Sequence, residues 1–210
     1  IAGKIIVRRK ILKVSGMGES AIDEAIATIY KEYKSVQTSI LFNRSEVEVH
    51  IIAHSESEAE AERVLQELSG KIVETLGIAV FTTDGEQMEE VVGNLLRESG
   101  QTLSVAESCT GGLIGARLTD VAGSSRYFIE GAVTYANEAK IRALGVAADL
   151  IERHGAVSSE VAEAMARGMR ERAGTDYAIA VTGIAGPTGG TPEKPVGLVF
   201  IGYADAETVK

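Results

Sequence analysis

The chain is poor in the residues that form disulfides and metal sites. Its 210 residues include one cysteine and three histidines. The single cysteine, Cys109, cannot close an internal disulfide and is typical of proteins from a reducing compartment. So few thiol and imidazole groups also argue against a metal site of the His/Cys kind. We therefore expect a cytoplasmic protein without such a site.

Positive charge and long apolar runs are also scarce. Lysine and arginine number 21 against 30 acidic residues, and the formal net charge is -9. This balance argues against a general nucleic-acid binder or a partner of anionic membranes. No apolar run approaches the ~20 residues of a membrane span, and residues 1–13 do not read as a signal peptide. Because the chain starts without methionine and stops at Lys210 just after a predicted strand, we expect it to be a piece of a longer polypeptide.

Residues 1–82 have the pattern of a small α+β domain. Two helices are predicted from apolar residues at helical spacing, one after Gly18 and one behind a capping box formed by Ser57 and Glu60. Alternating or apolar stretches predict strands at 4–14, 38–42, 46–53 and 78–81, with a hairpin turn at Asn43-Arg44-Ser45. We place the domain boundary at residues 82–84.

Residues 83–210 alternate between strands and helices, which predicts a layered α/β domain. In such sheets, ligands bind at the carboxyl ends of the strands. The predicted strands are 102–106, 127–135, 176–181 and 196–203. The predicted helices are one capped by Asp84 that ends at Gly100, then 110–120, 137–144 and one capped by Ser158 or Ser159.

Two glycine-rich turns follow predicted strands and favour an anionic ligand. The first is Ser108-Cys109-Thr110-Gly111-Gly112, at the start of a helix, where the macrodipole attracts negative charge. The second is Thr182–Gly190, whose four glycines allow successive N–H groups to point into one concavity. The second turn lacks the Gly-Lys-Ser/Thr of a phosphate-binding loop and the spacing of a dinucleotide fingerprint.

Lys140 is the candidate general base of this domain. With Asn137 as the helix N-cap, Lys140 falls in the first turn, where the dipole should lower the pKa of its amine. A neutral lysine can take a proton from a serine, and Ser125 is the candidate nucleophile. Ser125 precedes the strand whose far end carries Tyr135. Either this strand must return past the turn, or another element must bring Ser125 and Lys140 together. An exposed helical lysine is the alternative.

Three other features allow both functional and structural interpretations. Tyr135 can orient a proton or simply end a strand, and Glu107 can bind substrate hydroxyls or tie down its own turn. Cys109 has no histidine nearby in sequence and is expected to be a small buried residue. A basic run suggests RNA binding by the first domain, although the alternative, a solvated strand face, is favoured because no basic Gly-x-x-Gly clamp follows. The run comprises Lys4, Arg8, Arg9, Lys10 and Lys13.

Several motifs together resemble the CinA (competence/damage-inducible protein) family. They are Glu107–Gly112, Thr134–Lys140, Gly155–Ser158, Thr182–Pro187 and Lys194–Val199. The resemblance covers about residues 84–210, and residues 1–82 are similar to the KH-like middle domain of full-length members. It implies a layered α/β amidohydrolase domain preceded by a small α+β KH-like domain.

The resemblance also implies an activity and its residues. The C-terminal domain of this family hydrolyses the carboxamide of nicotinamide mononucleotide (NMN) to nicotinate mononucleotide and ammonia, without a metal or other cofactor. Ser125 matches the nucleophile and Lys140 its base, while Ser108, Tyr135 and Thr182 match supporting positions. The glycine turns would hold the 5′-phosphate. The implied substrate-binding residues are Glu107, Thr110, Gly111, Gly112, Gly183, Ala185 and Gly186.

Other expectations concern the assembly. NMN is the expected ligand, and we expect neither nucleic acid nor a membrane as a partner. Helical faces rich in alanine and methionine favour a homodimer. Full-length members carry an upstream domain and a later arginine-bearing segment, neither of which this sequence contains. A nucleotide-binding or assembly module without turnover is therefore the alternative function.

Overall fold

The structure is a computed structural model that describes residues 5–43 and 46–210. Lys4 of the first predicted strand and the hairpin residues Arg44-Ser45 lie outside the described residues. By its internal contacts the chain divides into two compact units, residues 1–91 and 92–210. Among the described residues, none of the helices combines the length and apolar character that a membrane crossing requires.

The first unit is an antiparallel sheet with two helices. Its strands are ordered β2-β3-β1-β4. The elements are β1 (Ile6–Val14), α1 (Glu19–Tyr30), β2 (Val36–Asn43), β3 (Glu46–Ser55), α2 (Glu58–Leu76) and β4 (Val80–Thr82). The predicted α+β organisation is confirmed, and the predicted cap of α2 is present because the Ser57 side chain accepts a hydrogen bond from the N–H of Glu60.

The second unit is a mixed sheet covered by helices. Its strands are ordered β6-β5-β7-β8, of which the first three are parallel and β8 is antiparallel to β7. The strands are β5 (Leu103–Glu107), β6 (Phe128–Val133), β7 (Tyr177–Gly183) and β8 (Val199–Ala204). The helices are α3 (Met88–Ser99), α4 (Leu113–Thr119), α5 (Asn137–Leu144), α6 (Ala148–His154) and α7 (Ser159–Ala173). The predicted α/β layering is confirmed.

Helix α7 lies very close to the sheet and to α5. Met165 and Met169 of α7 are fully buried in the core. A Cβ atom at Gly202 of β8 would lie 2.1 Å from the carbonyl oxygen of Ala162, and one at Gly168 would lie 1.8 Å from that of Leu144. Real Cβ atoms do not approach this closely, so these two glycines permit the packing of α7.

One helix was not predicted, and two predicted helices begin later than expected. Helix α6, which has seven residues, was not predicted. Helix α4 begins at Leu113 rather than at residue 110, because Gly111 and Gly112 adopt left-handed conformations. Helix α3 begins at Met88 rather than next to Asp84, whose N–H instead donates to the hydroxyl of Thr82.

Candidate active site

The carboxyl ends of the parallel strands build one cavity. Ser108 follows β5, Tyr135 follows β6, and Thr182 lies at the end of β7. Because parallel strands end at the same edge of a sheet, these residues converge there. The cavity measures about 270 Å³ and is also lined by Lys140 and by residues of the 156–157 and 183–188 segments.

Lys140 is buried at the floor of this cavity. Its side chain is 1% exposed, and its Nζ atom lies 3.0 Å from Ser108 Oγ. Nζ also donates to the carbonyl oxygens of Thr134 (2.8 Å) and Tyr135 (3.0 Å). Burial lowers the pKa of Lys140 from the ordinary lysine value, and the neighbouring Cys109 opposes this shift only in part.

These three contacts can all be kept when Lys140 loses a proton and becomes a base. A neutral lysine has two N–H donors and one lone pair. In the structure Nζ donates to all three oxygens. In the neutral form that burial favours, the two carbonyls would accept the two N–H groups and the lone pair would accept the hydroxyl proton of Ser108. Lys140 is therefore arranged to take a proton from Ser108.

The structure does not bring Ser125 to Lys140. Ser125 is exposed and lies in a short 3-10 turn that precedes β6, whereas Lys140 follows the other end of that strand. The six residues of β6 span about 20 Å. The predicted pairing is corrected accordingly: within one chain, the hydroxyl that contacts Lys140 belongs to Ser108.

Glu107 holds its own turn rather than facing the cavity. Its carboxylate is 1% exposed and accepts hydrogen bonds from the N–H groups of Gly112 (3.0 Å), Ile114 (3.1 Å) and Gly115 (2.8 Å). Three N–H groups at the start of α4 are thereby satisfied by a charge of the favourable sign. The predicted contact between Glu107 and substrate is not supported.

The turn after Ser108 also differs from its predicted role. The N–H of Gly111 donates to the Ser108 carbonyl, and that of Gly112 donates to Glu107. Thr110 carries a buried hydroxyl without a partner in the described part of the chain. None of residues 110–112 lines the cavity. The predicted phosphate site on Thr110, Gly111 and Gly112 is therefore not supported.

The turn that follows β7 lines the cavity, as expected of a ligand-binding turn. Thr182 is 1% exposed and donates its hydroxyl proton to the carbonyl of Ala156 at 2.8 Å. Gly183, Ala185 and Gly186 all line the cavity. A Cβ at Gly183 would lie 2.7 Å from the Leu198 carbonyl oxygen, so glycine is required for the close approach of the two backbones.

Two further side chains complete the rim. Tyr135 is 73% exposed and lines the cavity, so its ring is available to a bound ligand. Cys109 also lines the cavity, and burial raises the pKa of its thiol. A thiol with a raised pKa is a weak nucleophile, but Cys109 is half-buried rather than buried as predicted.

The sequence interpretation missed one wall of the cavity. Ala156 and Val157 lie between α6 and α7 and line it. The Nζ atom of Lys194 donates to the carbonyls of His154 (2.8 Å) and Val157 (2.6 Å) and holds this wall in place. The motifs that contain these residues were noticed as sequence similarity, but backbone contacts of this kind have no signature in the sequence. No group of three or more His, Cys, Asp or Glu side chains in residues 5–43 and 46–210 has the arrangement of a metal site.

Comparisons with known sequences cover both units. The family model described as the CinA C-terminal domain matches residues 85–210, and the one described as the KH domain of damage-inducible protein CinA matches residues 9–82. A CinA-like protein of Geotalea daltonii is 48% identical over 202 residues, which are 96% of this chain and 49% of that protein. A CinA-like protein of a Geobacter species is 51% identical over 198 residues, or 94% of this chain and 47% of that protein. The chain thus spans about half the length of these relatives.

Solved structures agree with the sequence comparisons. The competence/damage-inducible protein CihA of Agrobacterium tumefaciens is 43% identical, with a TM-score of 0.58 over 63% of this chain and 81% of that one. A CinA superfamily protein of Escherichia coli is 34% identical, with a TM-score of 0.56 over 58% of this chain and 71% of that one. By its motifs, its fold and these similarities, the chain belongs to the CinA family.

Proposed function

We propose that this chain is an amidohydrolase that converts NMN to nicotinate mononucleotide and ammonia. The observation that carries the proposal is the buried contact of 3.0 Å between Lys140 Nζ and Ser108 Oγ at the floor of the cavity. A serine hydroxyl beside a lysine of lowered pKa is an activated nucleophile of the kind used in acyl transfer. The resemblance of the surrounding motifs to the CinA family supplies the substrate.

The first half of the reaction forms an ester on the enzyme. Lys140 takes the Ser108 proton while Oγ attacks the carboxamide carbon, which gives a tetrahedral oxyanion. The protonated Lys140 then gives its proton to the leaving nitrogen, so ammonia departs and an acyl-serine remains. In the second half, Lys140 takes a proton from water, the hydroxide attacks the ester, and Ser108 is released with the proton restored.

The oxyanion needs donors close to the nucleophile. The N–H groups of Cys109 and Thr110 directly follow Ser108. They donate to no carbonyl in the described part of the chain and interact with the Cys109 sulfur, where they oppose the rise in the pKa of the thiol. In other serine hydrolases, the N–H of the residue after the nucleophile has this task. We assign the oxyanion to the N–H of Cys109, a residue that lines the cavity, in place of backbone groups near Ser125.

Thr182 is suited to recognise the amide nitrogen. Its one hydroxyl proton is already donated to the Ala156 carbonyl, so its oxygen can only accept a further hydrogen bond. A carboxamide NH2 group offers that donor, whereas the carboxylate of the product does not. Thr182 therefore favours binding of the amide substrate over retention of the acid product.

The direct test is incubation of the purified chain with NMN. We expect ammonia and nicotinate mononucleotide in equal amounts, with no added metal and no loss of rate in EDTA. Binding of NMN without ammonia release would contradict the proposal and favour a nucleotide-binding module. This outcome matters because the chain spans about half of its relatives, and catalysis by the whole protein can require the other half.

A further inference from the structure

Lys194 is a cation that the proposed mechanism does not use. It is half-buried and bridges the carbonyls of His154 and Val157. No carboxylate in residues 5–43 and 46–210 lies within ion-pair distance of its ammonium. Hydrogen bonds from an ammonium to carbonyls are charge-assisted and stronger than neutral ones. Lys194 therefore fixes the backbone of segment 154–157.

All four carbonyls of segment 154–157 accept a hydrogen bond from a side chain. Lys194 donates to the first and the last, Ser158 donates to the second at 2.9 Å, and Thr182 donates to the third at 2.8 Å. The negative ends of these peptide groups are thus directed toward the protein. Of the N–H groups of this segment, that of Gly155 donates to the carbonyl of Ile151 at 2.8 Å and ends helix α6.

The available N–H groups belong to Ala156 and Val157. Neither has a hydrogen-bond acceptor among the residues that the structure describes, although both residues line the cavity. In a trans peptide the N–H points away from the carbonyl of the same peptide plane. Successive free N–H groups at a concave surface form a site for an anion.

We propose that Lys194 is a positioning residue that holds segment 154–157 so that the N–H groups of Ala156 and Val157 receive the phosphate of the substrate. The inference rests on the proposed function only in that the ligand of this cavity is a sugar phosphate. It places the phosphate at this wall and replaces the predicted site on the Gly111-Gly112 turn, where the N–H groups are already bonded. The unpaired positive charge of Lys194 adds to the attraction.

Three variants distinguish the contribution of the Lys194 side chain from that of the backbone at Gly155. Lys194→Met removes the donor and the charge, and Lys194→Arg keeps both. Gly155→Ala keeps the lysine but introduces a Cβ about 3.2 Å from its Nζ at a backbone φ of +77°. Lys10→Met is the matched control, because Lys10 contacts only Gln66 at an exposed position of the first unit.

The test is the binding of ribose 5-phosphate by calorimetry, which needs no turnover. We expect Lys194→Met and Gly155→Ala to weaken binding roughly tenfold through the lost charge-assisted hydrogen bonds, with Lys194→Arg and Lys10→Met close to the parent chain. Circular dichroism establishes that each variant is folded. A parent chain that does not bind ribose 5-phosphate, or a folded Lys194→Met that binds it equally well, would overturn the inference.

Kinetics with NMN supply the second readout. The KM of Lys194→Met should rise by the same factor while kcat stays within about threefold, since the contact between Ser108 and Lys140 is untouched. A lower kcat at constant KM would instead place this wall at the oxyanion and overturn the assignment to phosphate. If no amide is hydrolysed at all, the proposed function fails while the calorimetry still decides the role of Lys194.

Discussion

Lys140 Nζ and Ser108 Oγ lie 3.0 Å apart, although the two residues are 32 positions apart in the chain. The parallel sheet produces this contact. Ser108 ends β5, and the neighbouring strand β6 leads into α5, which carries Lys140. The carbonyls of Thr134 and Tyr135, between β6 and α5, accept hydrogen bonds from Lys140 Nζ and hold it in place.

The pH dependence of the reaction should report on the amine of Lys140. Burial lowers the pKa of Lys140, and only the neutral amine has the lone pair that takes a proton. The value of kcat/KM for NMN should therefore rise with pH and level off below the free lysine value of about 10.4. Measurement of kcat/KM from pH 6.5 to 10 gives the pH at which the rise levels off.

The control for this profile is Lys140→Arg. An arginine stays charged throughout this range, so the variant should be inactive at every pH. A profile of the parent chain that stays flat from pH 6.5 to 10 would contradict a base role for Lys140.

Thr182 offers a matched pair of variants. Thr182→Ser keeps the hydroxyl and should retain most activity. Thr182→Val removes the acceptor for the amide NH2 and leaves the Ala156 carbonyl without its donor, so we expect kcat/KM for NMN to fall roughly 10- to 100-fold. The affinity for nicotinate mononucleotide should fall less, because the product has no NH2 group to donate. Equal losses of affinity for substrate and product would argue against the amide-selective role.

Glu107 should matter for stability rather than for binding. Glu107→Gln replaces a buried carboxylate that accepts three N–H donors with an amide that accepts fewer. We expect the free energy of unfolding to fall by about 3 kcal/mol. Urea denaturation measures this change, with exposed Glu171→Gln as the control. A variant that unfolds at the same urea concentration as the parent but has a raised KM would instead restore Glu107 to substrate binding.

Sequence patterns were sufficient where local chemistry decides the structure. Helix α5 matches its predicted range of 137–144, although its N-cap is Ala136 rather than the predicted Asn137. Ser158 caps α7 as one of the two predicted candidates. The cap of α2 by Ser57 follows from a side chain and an N–H three residues apart. In each case the interacting groups are neighbours along the chain, so the spacing contains the information.

Such patterns could not show which serine contacts Lys140. The Gly-Ser-Ser turn at Ser125 resembles an active-site turn, but it precedes β6, and only turns that follow parallel strands reach the catalytic edge. Ser108 follows a strand and was assigned only a supporting position. The burial of Lys140 likewise involves residues distant in sequence, such as Ser108, which its Nζ contacts. The predicted NMN specificity, homodimer and cytoplasmic location stay predictions.

The most direct test of the account compares two serine variants in the NMN assay. Ser108→Ala removes the hydroxyl that contacts Lys140, whereas Ser125→Ala alters the exposed turn at the other end of β6. We expect Ser108→Ala to lower kcat by at least about 10³-fold with unchanged folding, and Ser125→Ala to stay within about threefold of the parent chain. An active Ser108→Ala together with an inactive Ser125→Ala would contradict the account.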